Sequence, residues 1–579
     1  MSSVPPIPVL VVGAGPVGVT LANLLGQYGV ETLIVDRSPD VLDYPRAVGL
    51  DDESLRTFQA AGLADEMLKD MIQNVPLRLY TANRKCCAEI LPATREFGWF
   101  RRNLFSQPLG ERTLRCGLQR FAHVRLELGT ELVGLTQGSE AVTATLRRPD
   151  GSKSDIRSQF LVAADGGHST VRKVLQIPFD GVTHARKWAV IECDPDPLDA
   201  PYTALHCEPK RPYACLRLPY GVRRWEFMLF PGEDTQEALS ERKVGELLRG
   251  CGVNPDALRV IRARVYTHNS RVARTFVRQR VCLAGDAAHL SPPWIGQGLN
   301  VGLRDASNLA WKLGWILQRR LRPEVLESYH SERYGHAQAM IDLADRFGAV
   351  LCQRNRAVAW LRDRLFLSLQ KVPALRDYVL QMKFKPMARN TRGIVLPPDG
   401  GHGQLVGRMF IQPDVELIGG ATVPLDAALG SGFALLGWRC DPLGGAPSSL
   451  LENLDLLGCR RIIAMRSRSM THTGKQELAS QGLTVIEDST NALHFRFGYA
   501  GADWVLIRPD RYVACSGKSD DALEQLQRFV DRFMDSPVSD SPAMTGGAGV
   551  GGRLIPAAGH ALSLVLHPFS WSRVVGSQS

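Results

Sequence analysis

Apolar positions in the first 40 residues fall into two runs separated by one amphipathic stretch. Residues 7–12 are almost continuously apolar, as a strand covered on both faces of a parallel sheet must be. Val17, Leu21, Leu24 and Leu25 then recur at helical spacing, and the pattern stops before Gly29. Residues 32–36 restore the strand pattern, so the segment predicts strand, tight turn, helix, strand. From about 76 to 108, and again from 185 to 268, the texture changes to alternating, aromatic-rich strands such as 213–219 and 223–230. These predict an antiparallel sheet inserted into the first domain. Strand–turn–helix patterns return over 159–175 and 275–320, and a long helical region covers 303–382.

The chain therefore divides into a first domain at 1–382, a Pro/Gly-rich linker at 383–403 and a small α/β domain at 404–535. The tail, 536–579, begins rich in Ser, Pro and Gly and is expected to be flexible. Composition adds exclusions. The net charge is +10, but Lys and Arg are scattered without interleaved aromatics, which fits anionic small molecules and not nucleic acid. The 12 cysteines include no Cys-x-x-Cys, so reduced, buried thiols of a cytoplasmic protein are expected. No basic leader precedes the first strand, and no apolar run reaches the roughly 18–20 residues that span a membrane.

Three motifs carry chemistry. In the first, Gly13-Ala14-Gly15-Pro16-Val17-Gly18 joins a strand to a helix, and Asp36-Arg37 ends the next strand. Gly13 permits the turn, Gly15 lets backbone approach a pyrophosphate, and Gly18 lets helix and strand pack closely. Asp36 is placed to accept hydrogen bonds from a ribose. This motif does not separate FAD from NAD. In the second, residues 160–175, a strand delivers Asp165-Gly166 to a turn before a helix carrying Ser169 and Arg172. Asp165 is either a ligand contact or an ordinary helix cap, and alone the cap is the simpler reading. In the third, residues 281–300, Gly285-Asp286 is followed by Pro292-Pro293, Gly296 and a helix beginning near Gly298-Leu299-Asn300 without an acidic cap. An uncapped helix start suits a ligand that becomes anionic there, as the N1–C2=O edge of a reduced flavin does. His289 has no histidine or carboxylate at ligand spacing, so no metal is expected.

In this order and spacing the three motifs resemble the FAD-dependent aromatic hydroxylases, the single-component flavoprotein monooxygenases of the p-hydroxybenzoate and phenol hydroxylase type, over about residues 7–375. Segments 43–53, 96–103, 223–233, 265–273, 384–387 and 409–413 look more narrowly like the 3-(3-hydroxyphenyl)propionate/3-hydroxycinnamate hydroxylases. The resemblance implies an α/β fold: a Rossmann-like FAD-binding domain with an inserted antiparallel substrate-binding sheet, plus a C-terminal thioredoxin-like domain. Lacking Cys-x-x-Cys, that last domain has a structural or dimerisation role. The resemblance adds Arg46 and Gln107 to the flavin contacts of the three motifs, and brings NADH as a transient co-substrate. Oxygen from O2 then enters a phenolic carboxylate ortho to its hydroxyl. Either Tyr266 or His268, on a strand expected to face the pocket, assists phenol ionisation, unless both are ordinary strand packing. Pro293 joins them as a candidate catalytic position. Arg101, Arg102, Arg211 and Arg217 are unranked candidates for the substrate carboxylate. The same chemistry on another phenol or a polyketide, and a catalytically silent flavin scaffold, remain the alternatives, and the resemblance allows a homodimer.

Overall fold

The structure is a computed structural model that describes residues 5–44, 46–397, 404–466, 476–478, 480 and 482–535. The tail at 536–579, expected to be flexible, lies outside the described residues, as does the part of the expected linker at 398–403. Residues up to Asp535 form one compact unit.

A mostly parallel sheet holds the first motif at its centre. Ile7–Val12 lies between Thr32–Asp36 and Lys153–Ala163, and Val281–Leu283 pairs with the outer side of Lys153–Ala163. Val9, Leu10 and Val11 are fully buried, which accounts for the unbroken apolar run. Each such side chain contributes about 1.5–3 kcal/mol when removed from water. Helix Pro16–Gln27 starts with proline at its first position, where the missing N–H costs nothing, and packs on helix Gly298–Leu317. The carboxyl ends of Ile7–Val12, Lys153–Ala163 and Val281–Leu283 thus open on one crevice, the usual ligand position in a doubly wound sheet.

The inserted sheet runs in the order His289–Leu290, Arg259–Ala273, Phe179–Asp194, Arg223–Met228, Tyr213–Arg217, Thr203–His206, Leu77–Tyr80 and Cys86–Ile90. All neighbours are antiparallel except Thr203–His206 and Leu77–Tyr80. Its two longest strands begin before residue 185 and end after residue 268, because Phe179–Asp194 and Arg259–Ala273 pair along nearly their whole length. Strand Asn103–Phe105 pairs instead with Gly49–Leu50 and Met71–Gln73 in a separate three-stranded sheet.

The C-terminal region holds a mixed sheet in which Ala434–Trp438 and Arg460–Arg466 are parallel across helix Ser448–Leu456. The antiparallel pair Trp504–Ile507 and Val513–Gly517 follows, then helix Ala522–Phe533. A thioredoxin-like domain is the expectation here, and these elements follow a β-α-β then β-β-α order. All twelve cysteines are free thiols, and burial pushes the Cys459 thiol up to about 12, far from a reactive thiolate. The region shares a core with the first domain: Trp311 and Trp315 meet Phe433 edge to face at 5.5 and 6.2 Å. A buried network links them as well, with Arg508 on Glu332 (2.8 Å) and Lys312 on Glu332 (3.0 Å). The described part of the expected linker is packed, not loose. Ile394 is fully buried and Leu396 donates its N–H to Ala514 O at 2.8 Å. Among the described residues, no helix is long and apolar enough to cross a membrane.

Candidate active site

A cavity of about 340 Å³ lies between the parallel sheet's crevice and one face of the inserted sheet. One wall is made of turns and helix ends: Gly15, Pro16 and Val17 from the first motif, Gly285 and Asp286 from the third, and residues 293–300. The other is made of strand side chains, among them Leu77, Thr203, Leu205, Ala214, Leu216 and Glu226.

The three glycines of the first motif differ in what surrounds them. Gly13 has φ +107°, and a Cβ there would lie 2.3 Å from Ala164 O. A Cβ on Gly18 would lie 1.9 Å from Gly13 O. A Cβ on Gly15 would meet nothing within 4 Å, so that position faces open space at the helix start. Gly15 is the N-cap of helix Pro16–Gln27, and no side chain caps this helix among the described residues. Helix Gly298–Leu317 likewise has no side-chain cap and no acidic residue in its first turn. Two positive helix ends therefore bracket the cavity. Asp36 accepts the N–H groups of Ala14 and Ser38 at 2.7 Å each, at the edge of the same turn. Arg115 donates to Ala14 O at 3.1 Å, while its buried Nε and Nη1 have no partner among the described residues. An open glycine, two bare helix ends and a half-satisfied guanidinium fit a diphosphate with a flat ring, so these residues could hold FAD. Arg115 was missed by motif reading because a lone arginine on an amphipathic helix carries no signal of its own.

The other sequence-predicted contacts divide by what they touch. Arg46 reaches Asp286 at 3.2 Å across the cavity rim, with both side chains partly exposed (50% and 37%). Gln107 Oε1 accepts the backbone N–H groups of Arg46 (2.9 Å) and Ala47 (2.6 Å), and its Nε2 donates to Glu111 (2.6 Å), whose carboxyl burial pushes up. Gln107 thus shapes the loop that carries Arg46. Asn300 is buried and makes four bonds: it accepts from Asp51 N and Ser54 Oγ and donates to Gly49 O and Gly296 O. Gly285, Gly298 and Leu299 line the cavity, whereas Gly13, Ala14, Gly18, Asp36 and Arg37 stand outside its lining, along the glycine turn and the strand beside it. Asp165 does not reach the cavity; its Oδ2 accepts the N–H groups of Thr170 (2.8 Å) and Val171 (3.2 Å), the capping alternative.

Pro293 lines the cavity, but Tyr266 and His268 do not. Both lie in the middle of strand Arg259–Ala273, on the face that Trp188 shares through its pairing with Tyr266. His268 stacks on Trp188 (5.6 Å) and meets Trp294 edge-on (5.5 Å), so Trp294, a cavity residue, stands in front of it. Burial, with His184 nearby, lowers His268 to about 4, and burial raises Tyr266. Of the four candidate arginines, Arg101 and Arg102 line the cavity. Arg211 is committed to Glu233 at 2.6 Å, and Arg217 is exposed on the strand. Arg101 lies 3.8 Å from Asp52 and donates to Gln381 O. Arg102 donates only to Val75 O (3.0 Å) among the described residues; burial lowers it to about 10, still a cation at neutral pH.

Asp51, at the cavity lining, crowds with Asp52 and Glu53 behind it, close enough to share an ion. Cations already occupy the cluster: Arg304 binds Asp51 and Glu53, and Lys385 binds Asp51 at 2.8 Å. Burial alone would raise Asp51, but Arg304 and Lys385 hold it well below the carboxylate range, while burial, Asp51 and Glu53 push Asp52 up to about 7. His289 gives its buried ring to Asp305 at 2.6 Å, and Asp305 in turn accepts the Gly285 N–H at 3.1 Å. That carboxylate lies 16 residues along the chain, so spacing in sequence concealed it.

Comparison with known proteins agrees with this geometry. Residues 6–344 match the family described as "FAD binding domain", and residues 407–532 match the "HcaD C-terminal domain". The 3-(3-hydroxy-phenyl)propionate/3-hydroxycinnamic acid hydroxylase 2 of Burkholderia vietnamiensis is 49% identical over 87% of this chain and 93% of its own. A hydroxylase of the same name from Comamonas testosteroni is 39% identical over 92% of this chain and 97% of its own. The flavin-dependent monooxygenase PieE, solved with FAD and substrate, shares the fold with a TM-score of 0.75 at 21% identity, covering 91% of this chain and 99% of that one. The chain belongs to the family of FAD-binding 3-(3-hydroxyphenyl)propionate/3-hydroxycinnamic acid hydroxylases.

Proposed function

We propose that the chain hydroxylates 3-(3-hydroxyphenyl)propionate and 3-hydroxycinnamate ortho to the ring hydroxyl, giving the 2,3-dihydroxy products. The balanced reaction consumes the substrate, O2, NADH and a proton, and releases the product, NAD+ and water. Bound FAD supplies the transfer of reducing equivalents and the activation of O2. The chain's own residues do the rest. Arg102 holds the substrate carboxylate, and the apolar strand wall of Leu77, Leu205, Ala214 and Leu216 packs the ring and excludes water. Pro293 and Trp294 close the ring pocket on the side of the third motif.

The observation that carries this reading is an apolar, ring-sized wall facing the glycine turns, with Arg102 as a cavity cation that no carboxylate neutralises among the described residues. A phenol without a carboxylate leaves that cation buried and unpaired, which is costly. The test is a panel of phenolic acids read by stimulated NADH oxidation with product identification. The two phenylpropanoid acids should stimulate strongly and give catechols. Stimulation and catechol formation only with a phenol or polyketide lacking a carboxylate would remove this substrate and keep the monooxygenase.

A further inference from the structure

Among the described residues, six ionisable side chains line the cavity: Arg46, Asp51, Arg101, Arg102, Glu226 and Asp286. Arg46 and Asp286 pair with each other at the flavin rim, and Asp51 belongs to Arg304 and Lys385. Arg101 lies beside Asp52. Two remain with capacity to take a ligand, Arg102 and Glu226.

Glu226 sits at the centre of strand Arg223–Met228. Its Oε1 lies 2.9 Å from Arg224 Nε, while its Oε2 has no hydrogen-bond partner among the described residues, and the side chain is 15% exposed. The pleat aims it into the cavity. Glu226 pairs across the sheet with Ala214, which pairs with Leu205, and all three line the cavity as one cross-strand row. The row continues to Leu79 on strand Leu77–Tyr80. Arg102 grips Val75 O, just before that strand begins. The strand of Glu226 and the strand beside Arg102 are therefore three spacings apart, roughly 14 Å. A cation reaches in from one side and an anion from the other, across an apolar floor.

Resting on the substrate reading above, we propose that Glu226 reads the ring hydroxyl of the substrate, its free carboxylate oxygen accepting the phenol O–H while Arg102 holds the acid at the other end. An ionised carboxylate only accepts hydrogen bonds, so it selects a donor on the ring. A hydrogen bond to a charged acceptor is also stronger than one to a neutral group, and it pulls the O–H away from the ring oxygen. That fixes which ring edge faces the flavin wall and enriches the carbons ortho to the hydroxyl. The strand pattern of 223–228 carried the signal: its alternation places Arg224, Glu226 and Met228 on one face.

The test measures dissociation constants on the FAD-loaded protein through the flavin absorbance change, with 3-(3-hydroxyphenyl)propionate and its deoxy analogue 3-phenylpropionate. In Glu226→Gln, the preference for the hydroxylated acid should fall about tenfold or more, while affinity for 3-phenylpropionate stays within about twofold. Equal losses for both ligands would mean that Glu226 merely props Arg224, and an unchanged preference would mean that the hydroxyl is read elsewhere; either overturns the proposal. If Glu226→Gln does not fold, the wild-type protein decides with ring substituents alone. The 3-hydroxy and 3-amino acids, both donors, should bind about tenfold better than the 3-methoxy acid, which only accepts. Equal binding of the methoxy acid would overturn the assignment. Failure of the wild type to bind any of these acids would sink the substrate reading itself, a result separable from lost discrimination.

Discussion

The two walls of the cavity are built on opposite principles. The wall proposed for the flavin is made of backbone: glycine turns, bare helix ends and carbonyls, with side chains such as Gln107 and Asn300 turned back to hold the loops. The substrate wall is made of side chains standing on rigid strands, with the ladder hydrogen bonds already satisfied. The first wall tolerates almost no change of residue at a few positions, since its function is where the chain runs. The second can change what it binds one side chain at a time, since its function is what projects from a fixed frame.

Glycine substitutions should break the first wall hardest and in two distinguishable ways. Gly13→Ala drives a Cβ to within 2.3 Å of Ala164 O at a φ of +107°, so folded yield should collapse. Gly15→Val has open space around its Cβ and should fold, yet weaken FAD binding by about 100-fold or more, on the order of 3 kcal/mol. Cofactor content and circular dichroism separate the two, and a Gly15→Val protein with normal FAD affinity would remove that turn from the diphosphate site.

The second wall should yield to one residue without disturbing the first. Arg102→Gln should raise KM for the phenylpropanoid acids by about 10–100-fold, the loss of a charged hydrogen bond, with FAD content unchanged. A simple phenol without a carboxylate should lose no affinity and, freed of an unpaired cation, should gain some. Equal effects on both would return the choice to Arg101.

Behind both walls, Asp52 should give a smaller effect visible only with pH. Its folded carboxyl is pushed up to about 7, from a usual value of 3.8. Between those values the folded chain keeps a proton that the unfolded chain has released, so this group lowers stability as pH rises through the window. Asp52→Asn stays neutral throughout. It should melt above the wild type at pH 8, by about 1 °C for each kcal/mol regained in a unit of this size, with the gap closing towards pH 4. A gap that grew on acidification would show that Asp52 is ionised and paired in the folded chain.

The smallest effect should come from His268→Asn. Burial lowers His268 to about 4 and Trp294 lies edge-on against its ring, so it should stay neutral between pH 5 and 8. The pH profile of kcat/KM should keep its shape over that range. A lost inflection would restore His268 as a proton-transfer group.

The same contrast explains what the sequence disclosed. Gly13, Gly15, Gly18 and the turn at Gly285-Asp286 were legible because backbone geometry demands particular residues at fixed spacing, whatever the rest of the chain does. Glu226 was legible only as one position in an alternating strand, because any side chain can occupy a pleat and the ligand it meets is set by strands distant in sequence. Tyr266 and His268 were placed on the correct strand, but the two tryptophans beside His268 come from residues 188 and 294, which no local pattern joins to it. The stretch at 383–397 looked like a linker for its prolines and glycines, whereas Ile394 and Leu396 pack into the shared core. Local composition does not report which core a segment will meet.

Asn300 and the Arg46–Asp286 pair fasten the same two loops at opposite ends, and with unequal strength. At one end Asn300 makes three hydrogen bonds to residues 49–54, on the order of 3 kcal/mol together. At the other a single half-exposed ion pair contributes about 0–1 kcal/mol. The cleft is accordingly a door with a fixed hinge at Asn300 and a light latch at Arg46. Loosening of the cleft should therefore begin at Arg46, before the contacts of Asn300 give way.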